Sequence, residues 1–234
     1  MNQDSKQNNN FITNGKKVLT IEKDAIDNLI TNLDDSFTKA CNLLLKTTGR
    51  IIVIGMGKSG HIGHKIAATL ASTGSPAFFV HPAEASHGDF GMITKKDAIL
   101  ALSYSGNTQE VISLLPLIKI LHTPLISITG NPFSQLAKQS DTHININIKQ
   151  EACPLNLAPT ASTTAMLAMG DALAIALLEQ RGFTAEQFAF SHPGGSLGKK
   201  LLLAVDQLMT HFDKIPVNNI NDSLEDAILE MNEK

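Results

Sequence analysis

Ala98-Ile99-Leu100-Ala101-Leu102-Ser103-Tyr104-Ser105-Gly106-Asn107-Thr108-Gln109-Glu110-Val111-Ile112 changes periodicity part-way along. The unbroken apolar run 98–102 is what a parallel strand buried on both faces requires. After the polar break, Val111, Ile112, Leu114, Leu115 and Ile118 recur at helical spacing, so a helix over 108–121 is predicted. The hexapeptide Ser103–Thr108 is therefore a strand-to-helix turn. Such a turn aims free N–H groups and the positive end of a helix dipole into the crevice above the sheet. Ser103, Ser105 and Thr108 add hydroxyls and Gly106 lets the backbone approach closely. A phosphate seat and a plain helix N-cap are both open on these residues alone.

Outward from this stretch the strand–helix alternation repeats. Strands are predicted over 50–54, 77–80, 98–102, 124–129 and 143–148, the last alternating Ile with His and Asn as an edge strand does. Helices are predicted over 61–72, 108–121 and a short stretch after 132. Before the sheet, apolar residues from Ile26 to Leu45 mark one long amphipathic helix, or two in succession, over 19–46. After it, 160–178 is apolar on almost every side and Thr184 with Gln187 caps a short helix through Phe190. The fold class that follows is α/β, a doubly wound five-stranded parallel sheet flanked by helices.

Gly55-Met56-Gly57-Lys58-Ser59-Gly60 spells the dinucleotide fingerprint, yet the next strand ends in Val80-His81-Pro82, where an acid should meet the ribose. The ATP-binding loop fails too, because Ile52 stands where its first glycine belongs. No cofactor is expected. What remains is a second loop with a cation, Lys58, and a hydroxyl, Ser59, able to grip a phosphorylated ligand beside the first loop.

With 19 basic and 22 acidic residues, net charge −3, the chain offers no basic face for nucleic acid. Cys41 and Cys153 form no ligand or disulfide pattern, which fits a reducing cytoplasm. The apolar stretch 165–178, broken by Gly170 and Asp171, is too short to span a membrane. Residues 1–17, rich in Asn and Gln, are expected to form a disordered leader. Beyond residue 203 the texture changes, and 204–234 reads as the start of a new small unit.

The segment His81-Pro82-Ala83-Glu84-Ala85-Ser86-His87-Gly88-Asp89-Phe90-Gly91-Met92 gathers two histidines and two acids, but Pro82 argues against one helix spanning the possible ligands, so no metal is expected. Together with the glycine loop, the serine loop, Glu151-Ala152-Cys153-Pro154, 158–164 and 191–198, this segment resembles the sugar isomerase (SIS) superfamily, and within it the arabinose 5-phosphate isomerases. The resemblance covers 18–203, and implies an SIS fold followed by an incomplete first CBS module over 204–234, the chain stopping about half-way through it.

What the resemblance implies for function is interconversion of D-ribulose 5-phosphate and D-arabinose 5-phosphate through an enediolate, the first step toward the lipopolysaccharide sugar Kdo. Ser59, Ser103, Ser105 and Thr108 match the family's phosphate loops; Lys58, Glu110, Glu151 and His192 match its catalytic positions. His87 matches a ring-opening histidine, and Glu151 with His192 is the pair favoured for proton transfer at C2. The implied partner is a small sugar phosphate, and the implied assembly a homotetramer with its site at a subunit interface. Two rivals remain: a sister isomerase of a longer sugar phosphate, and a sugar-phosphate sensor without catalysis.

Overall fold

A computed structural model describes residues 4–192, 209, 211 and 214–233. Five strands form one sheet in the order β2-β1-β3-β4-β5: β1 (Ile51–Gly55), β2 (Ala77–Val80), β3 (Ala98–Leu102), β4 (Leu125–Thr129) and β5 (Thr142–Asn145). Every neighbouring pair is parallel, with Ile51 opposite Ala77 on one side of β1 and Ala98 on the other. The chain leaves β1 for β2 on one flank and then crosses to β3 on the other. That reversal opens a crevice at the carboxyl ends of β1 and β3, where ligands of such sheets bind. The glycine loop and the serine loop are thus neighbours, as the sequence predicts.

The strands divide their side chains by the two-residue period. Ile51, Val53, Ala98, Leu100 and Leu102 join the core on one face with α1 (Asp4–Thr31), α2 (Asp35–Lys46), α3 (Lys58–Ser72) and α8 (Ala161–Arg181). Ile52, Ile54, Ile99 and Ala101 join the other with α4 (Pro82–Ser86), α5 (Gln109–Ile112), α6 (Leu115–Leu121) and α7 (Gln135–Gln139). Both faces are covered, and β5 is an edge, as expected.

Helix α8 is long and apolar enough to cross a membrane by length and composition. Its Met166, Met169, Leu173 and Leu177 are instead buried in the first core, each worth about 1.5–3 kcal/mol out of water. Gly170 sits where a Cβ would come within 2.3–2.4 Å of the Ile66 side chain, which fixes the close crossing of α3 and α8.

Three expectations change. Helix α1 extends back to Asp4, where the sequence predicted a disordered leader over 1–17; polar residues can continue a helix whose later turns are anchored by Ala25 and Leu29. Of the two alternatives open for 19–46, two helices in succession form: α1 stops at Thr31 and a new helix starts at Asp35, where the Asp34 carboxylate accepts the Ser36 N–H as an N-cap. The helix predicted over 108–121 is two, α5 and α6: Pro116 in the first turn of α6 has no N–H to carry α5 onward. The irregular segment after β2 contains α4, opened by Pro82 at its first turn, and a 3-10 turn at Asp89–Met92.

The chain divides into two compact units, Met1–Thr184 and Ala185–Lys234. The break follows Gly182, the left-handed cap of α8, and so precedes the boundary after 203 drawn from motif extent. In the second unit α9 covers Ala185–Ser191 and α10 covers Leu224–Glu233, the latter started by reciprocal bonds between Ser223 and Asp226. Of the stretch assigned to a partial CBS module, 204–208 lies outside the described residues, as does the run 193–198 of the last matching motif.

Candidate active site

The first unit carries a cleft of about 400 Å³ at the carboxyl ends of the strands. Met56, Lys58 and Ser59 reach it from the β1–α3 loop, and Tyr104 from the serine loop. Lys149 and Glu151 come from the segment after β5, and Asn156, Ser162 and Thr163 from the approach to α8. The site grows out of the switch point: Gly57, at φ 58°, turns the chain so that α3 opens directly over the crevice with Lys58 and Ser59 in its first turn. That places a helix N-terminus, a cation and a hydroxyl together. Neither Lys58 nor Lys149 makes an ion pair among the described residues. The cleft thus presents two ammonium groups to an anion.

Glu151 lines the same cleft. Its Oε2 accepts the Thr160 N–H at 2.8 Å, the Thr160 hydroxyl at 3.0 Å and the Ser162 N–H at 3.2 Å. Its Oε1 accepts the Ser162 hydroxyl. Burial pushes this carboxyl up, but the Ser162 and Thr160 donors outweigh it and hold Glu151 below the usual carboxylate range. Its segment is braced at both ends: the Glu151 N–H donates to Asn156 Oδ1 at 2.7 Å and the Ala152 N–H to the Thr160 hydroxyl at 2.8 Å. Asn156 takes a left-handed conformation, φ 53°, that its short amide tolerates.

The Tyr104 hydroxyl accepts the Ile148 N–H at 3.3 Å, and its ring lies so close to Gly130 that a Cβ there would meet it at 2.3 Å. Burial pushes the phenol up, the Ile148 N–H pulls it down and Glu151 adds to the rise, so it stays a proton donor at neutral pH.

The other residues of the first unit singled out in the sequence do not line this cleft. In the serine loop, the Ser103 and Thr108 hydroxyls bond each other at 2.9 Å, the Gly106 N–H donates to Ser103 Oγ, and the Asn107 N–H donates to Ser105 Oγ. The loop closes on itself at the switch point and delivers Tyr104, rather than its hydroxyls, to the cavity. Glu110 stands half-buried in the first turn of α5. His87 is exposed at the C-terminal end of α4, with His81 at the other end. Among the described residues, no three His, Cys, Asp or Glu side chains come together as a metal site.

His192 belongs to the second unit. Its ring stacks on Phe188 at 4.2 Å, and Nδ1 is 3.1 Å from the Phe188 carbonyl. A carbonyl only accepts, so Nδ1 carries a proton and donates to it.

Lys149, Tyr104 and Asn156 were missed in the sequence. The one signal for Lys149 was position, just beyond the carboxyl end of the last strand, where such sheets place ligand-binding groups.

The fold is shared with known proteins. Residues 44–176 match the SIS domain family. The arabinose 5-phosphate isomerase KdsD of Pseudomonas aeruginosa is 60% identical over 228 residues, 97% of this chain and 70% of its own length. That of Escherichia coli is 54% identical over 220 residues, 94% of this chain and 67% of its own. A solved Escherichia coli protein in complex with arabinose 5-phosphate superposes with a TM-score of 0.78 at 41% identity, covering 80% of this chain and 99% of that one. With this identity carried through nearly its whole length and the SIS sheet at its centre, the chain belongs to the arabinose 5-phosphate isomerases.

Proposed function

We propose that the cleft between the β1 and β3 loops and the start of α8 is where D-ribulose 5-phosphate and D-arabinose 5-phosphate are interconverted, feeding Kdo biosynthesis. The observation that carries the reading is one ionised carboxylate, Glu151, lining the same cleft as two unpaired ammonium groups, Lys58 and Lys149. The phosphate sits at the switch point, held by Lys58, Ser59 and the N-terminus of α3, with Lys149 as second cation and the serine loop 103–108 flanking the seat. Fixing the phosphate fixes the register of C1 and C2. Glu151 takes a proton from C1 of the ketose and returns it to C2, while the hydroxyl proton of O1 passes to O2. Atoms and electrons balance within the substrate, so the step needs no external oxidant or reductant. His192, supplied by a neighbouring subunit, is the candidate for the proton shuttle between the oxygens, and His87 suits opening the furanose of the aldose. Glu110 is the second candidate carboxylate for the hydroxyl protons.

We place the finished site between subunits of a homotetramer in the cytoplasm. Support comes from the exposed apolar residues: Leu155 and Leu157 stand 75% and 77% exposed on the loop beside Glu151, and Phe11, Leu19, Ile120 and Phe133 are exposed elsewhere. A non-catalytic sensor is the weaker reading, since the isomerases of Pseudomonas aeruginosa and Escherichia coli match this chain at 54–60% identity.

Lys58→Met and Glu151→Gln are each expected to lower kcat on D-ribulose 5-phosphate on the order of a hundredfold, with the fold intact. Wild-type turnover by Glu151→Gln would remove it as the base. Mixing inactive Glu151→Gln and His192→Ala chains under subunit exchange is expected to restore part of the activity. No recovery after demonstrated exchange would place both residues in one chain's site.

A further inference from the structure

The segment Pro159-Thr160-Ala161-Ser162-Thr163-Thr164 leads into α8 and has no part in the chemistry assigned above. The geometry points to Thr160 and Ser162 as positioning residues for the isomerisation, fixing the Glu151 carboxylate so that Oε1 alone is left to exchange a proton with the substrate. This rests on Glu151 being the base.

Donors are distributed unequally over the two carboxylate oxygens. Oε2 accepts three, the Thr160 N–H, the Thr160 hydroxyl and the Ser162 N–H, which fill its lone-pair directions. Oε1 accepts one, the Ser162 hydroxyl, and keeps a direction free. The Thr160 hydroxyl is itself oriented, because it accepts the Ala152 N–H and so must donate toward Glu151. Ser162 is 2% exposed, so its hydroxyl has little water to turn to instead. Both residues stand at the N-terminus of a helix running Ala161–Arg181, whose dipole favours the same negative charge.

The arrangement makes two demands of the reaction. The carboxylate cannot rotate without giving up several charge-assisted bonds, so the direction of proton removal is built into the start of α8. Its charge is kept at a pH where an unassisted carboxylate would begin to protonate. The charged and titratable groups lining the cleft with it are Lys58 on α3, Lys149 after β5 and Tyr104 of the serine loop. The two lysines also favour the anion, so the share owed to α8 has to be separated by substitution.

The test uses the full chain with its glutamate side-chain carboxyl carbons isotope-labelled, the Glu151 signal being assigned by its loss in Glu151→Gln. Its titration is followed by NMR beside the pH profile of kcat/KM, in wild type, Ser162→Ala, Thr160→Val and Thr160→Ser. Ser162→Ala and Thr160→Val are each expected to raise the Glu151 midpoint by roughly one pH unit and move the acid limb of the profile by the same amount. Thr160→Ser, which keeps the hydroxyl, is expected to leave both in place. Because the two hydroxyls are removed separately, a folding defect in one variant leaves the other to decide. A midpoint unmoved in a folded Ser162→Ala or Thr160→Val overturns the proposal. A midpoint that moves while the acid limb stays overturns its catalytic half. Full activity in Glu151→Gln is a different failure, that of the base assignment itself.

Discussion

At the scale of single residues, Glu151 does two jobs that usually fall to different side chains. It caps α8 and lines the cleft where the chemistry is placed. The first job has a consequence apart from catalysis. Its carboxyl is lowered in the folded state, so the unfolded chain binds the proton more readily, and folding gains stability wherever the group is ionised. That gain is in full force above the ordinary glutamate value of about 4.3 and is lost as pH falls through the lower folded value. Thermal melts of wild type and Glu151→Gln should therefore show the larger gap at neutral pH, narrowing in acid. A constant gap would mean that the carboxylate and the amide cap α8 alike. Lys58, Ser59 and Glu151 were legible in the sequence because each belongs to a recognisable run. Lys149 was not, because a lone lysine after a strand has no pattern and its place in the cleft depends on where β5 ends. The bonds from Thr160 and Ser162 to Glu151 were illegible for a similar reason: they span nine and eleven residues of loop, with no periodicity to mark them.

At the scale of elements, the strands were the legible part. Unbroken apolar runs gave the places of β1 to β4 to within a residue, since a strand covered on both faces tolerates little else, whereas the alternating edge strand predicted over 143–148 ends three residues early at Asn145. The helices were harder wherever a single residue overrode a good pattern. Pro116 splits α5 from α6 although the apolar spacing runs across both, and Asp34 divides α1 from α2 in the same way. The serine loop shows how closely such a joint is fitted. Gly106 has φ 66°, and a Cβ there would lie 2.1 Å from the Oγ of Ser134, which caps α7 by accepting the Ala137 N–H. Gly106→Ala must bear left-handed strain and push into a buried side chain, at a combined cost of about 2–4 kcal/mol. A fall in Tm is expected, with KM rising as Tyr104 shifts. A variant as stable as wild type would show that the loop has slack that the structure does not suggest.

At the scale of the whole molecule, the fold carries the ligand to the carboxyl ends of β1 and β3, and the reading of function stands on that one crevice. The parallel sheet followed from strand–helix alternation; its strand order, and with it the switch point, is seen in the structure. The boundary between the units did not, because motif extent and compactness mark different things: the matching motifs run past Gly182, while the contacts of the first unit end there. The central claim is that this chain moves a proton between C1 and C2 of a pentose 5-phosphate. The most direct measurement is proton NMR of D-ribulose 5-phosphate incubated with the purified protein in D2O. The account predicts that an anomeric signal of D-arabinose 5-phosphate grows in, with solvent deuterium entering at C1 or C2 as the enediolate exchanges its proton. Stable ribulose 5-phosphate, with neither deuterium uptake nor an arabinose signal while the protein is demonstrably folded, would contradict it.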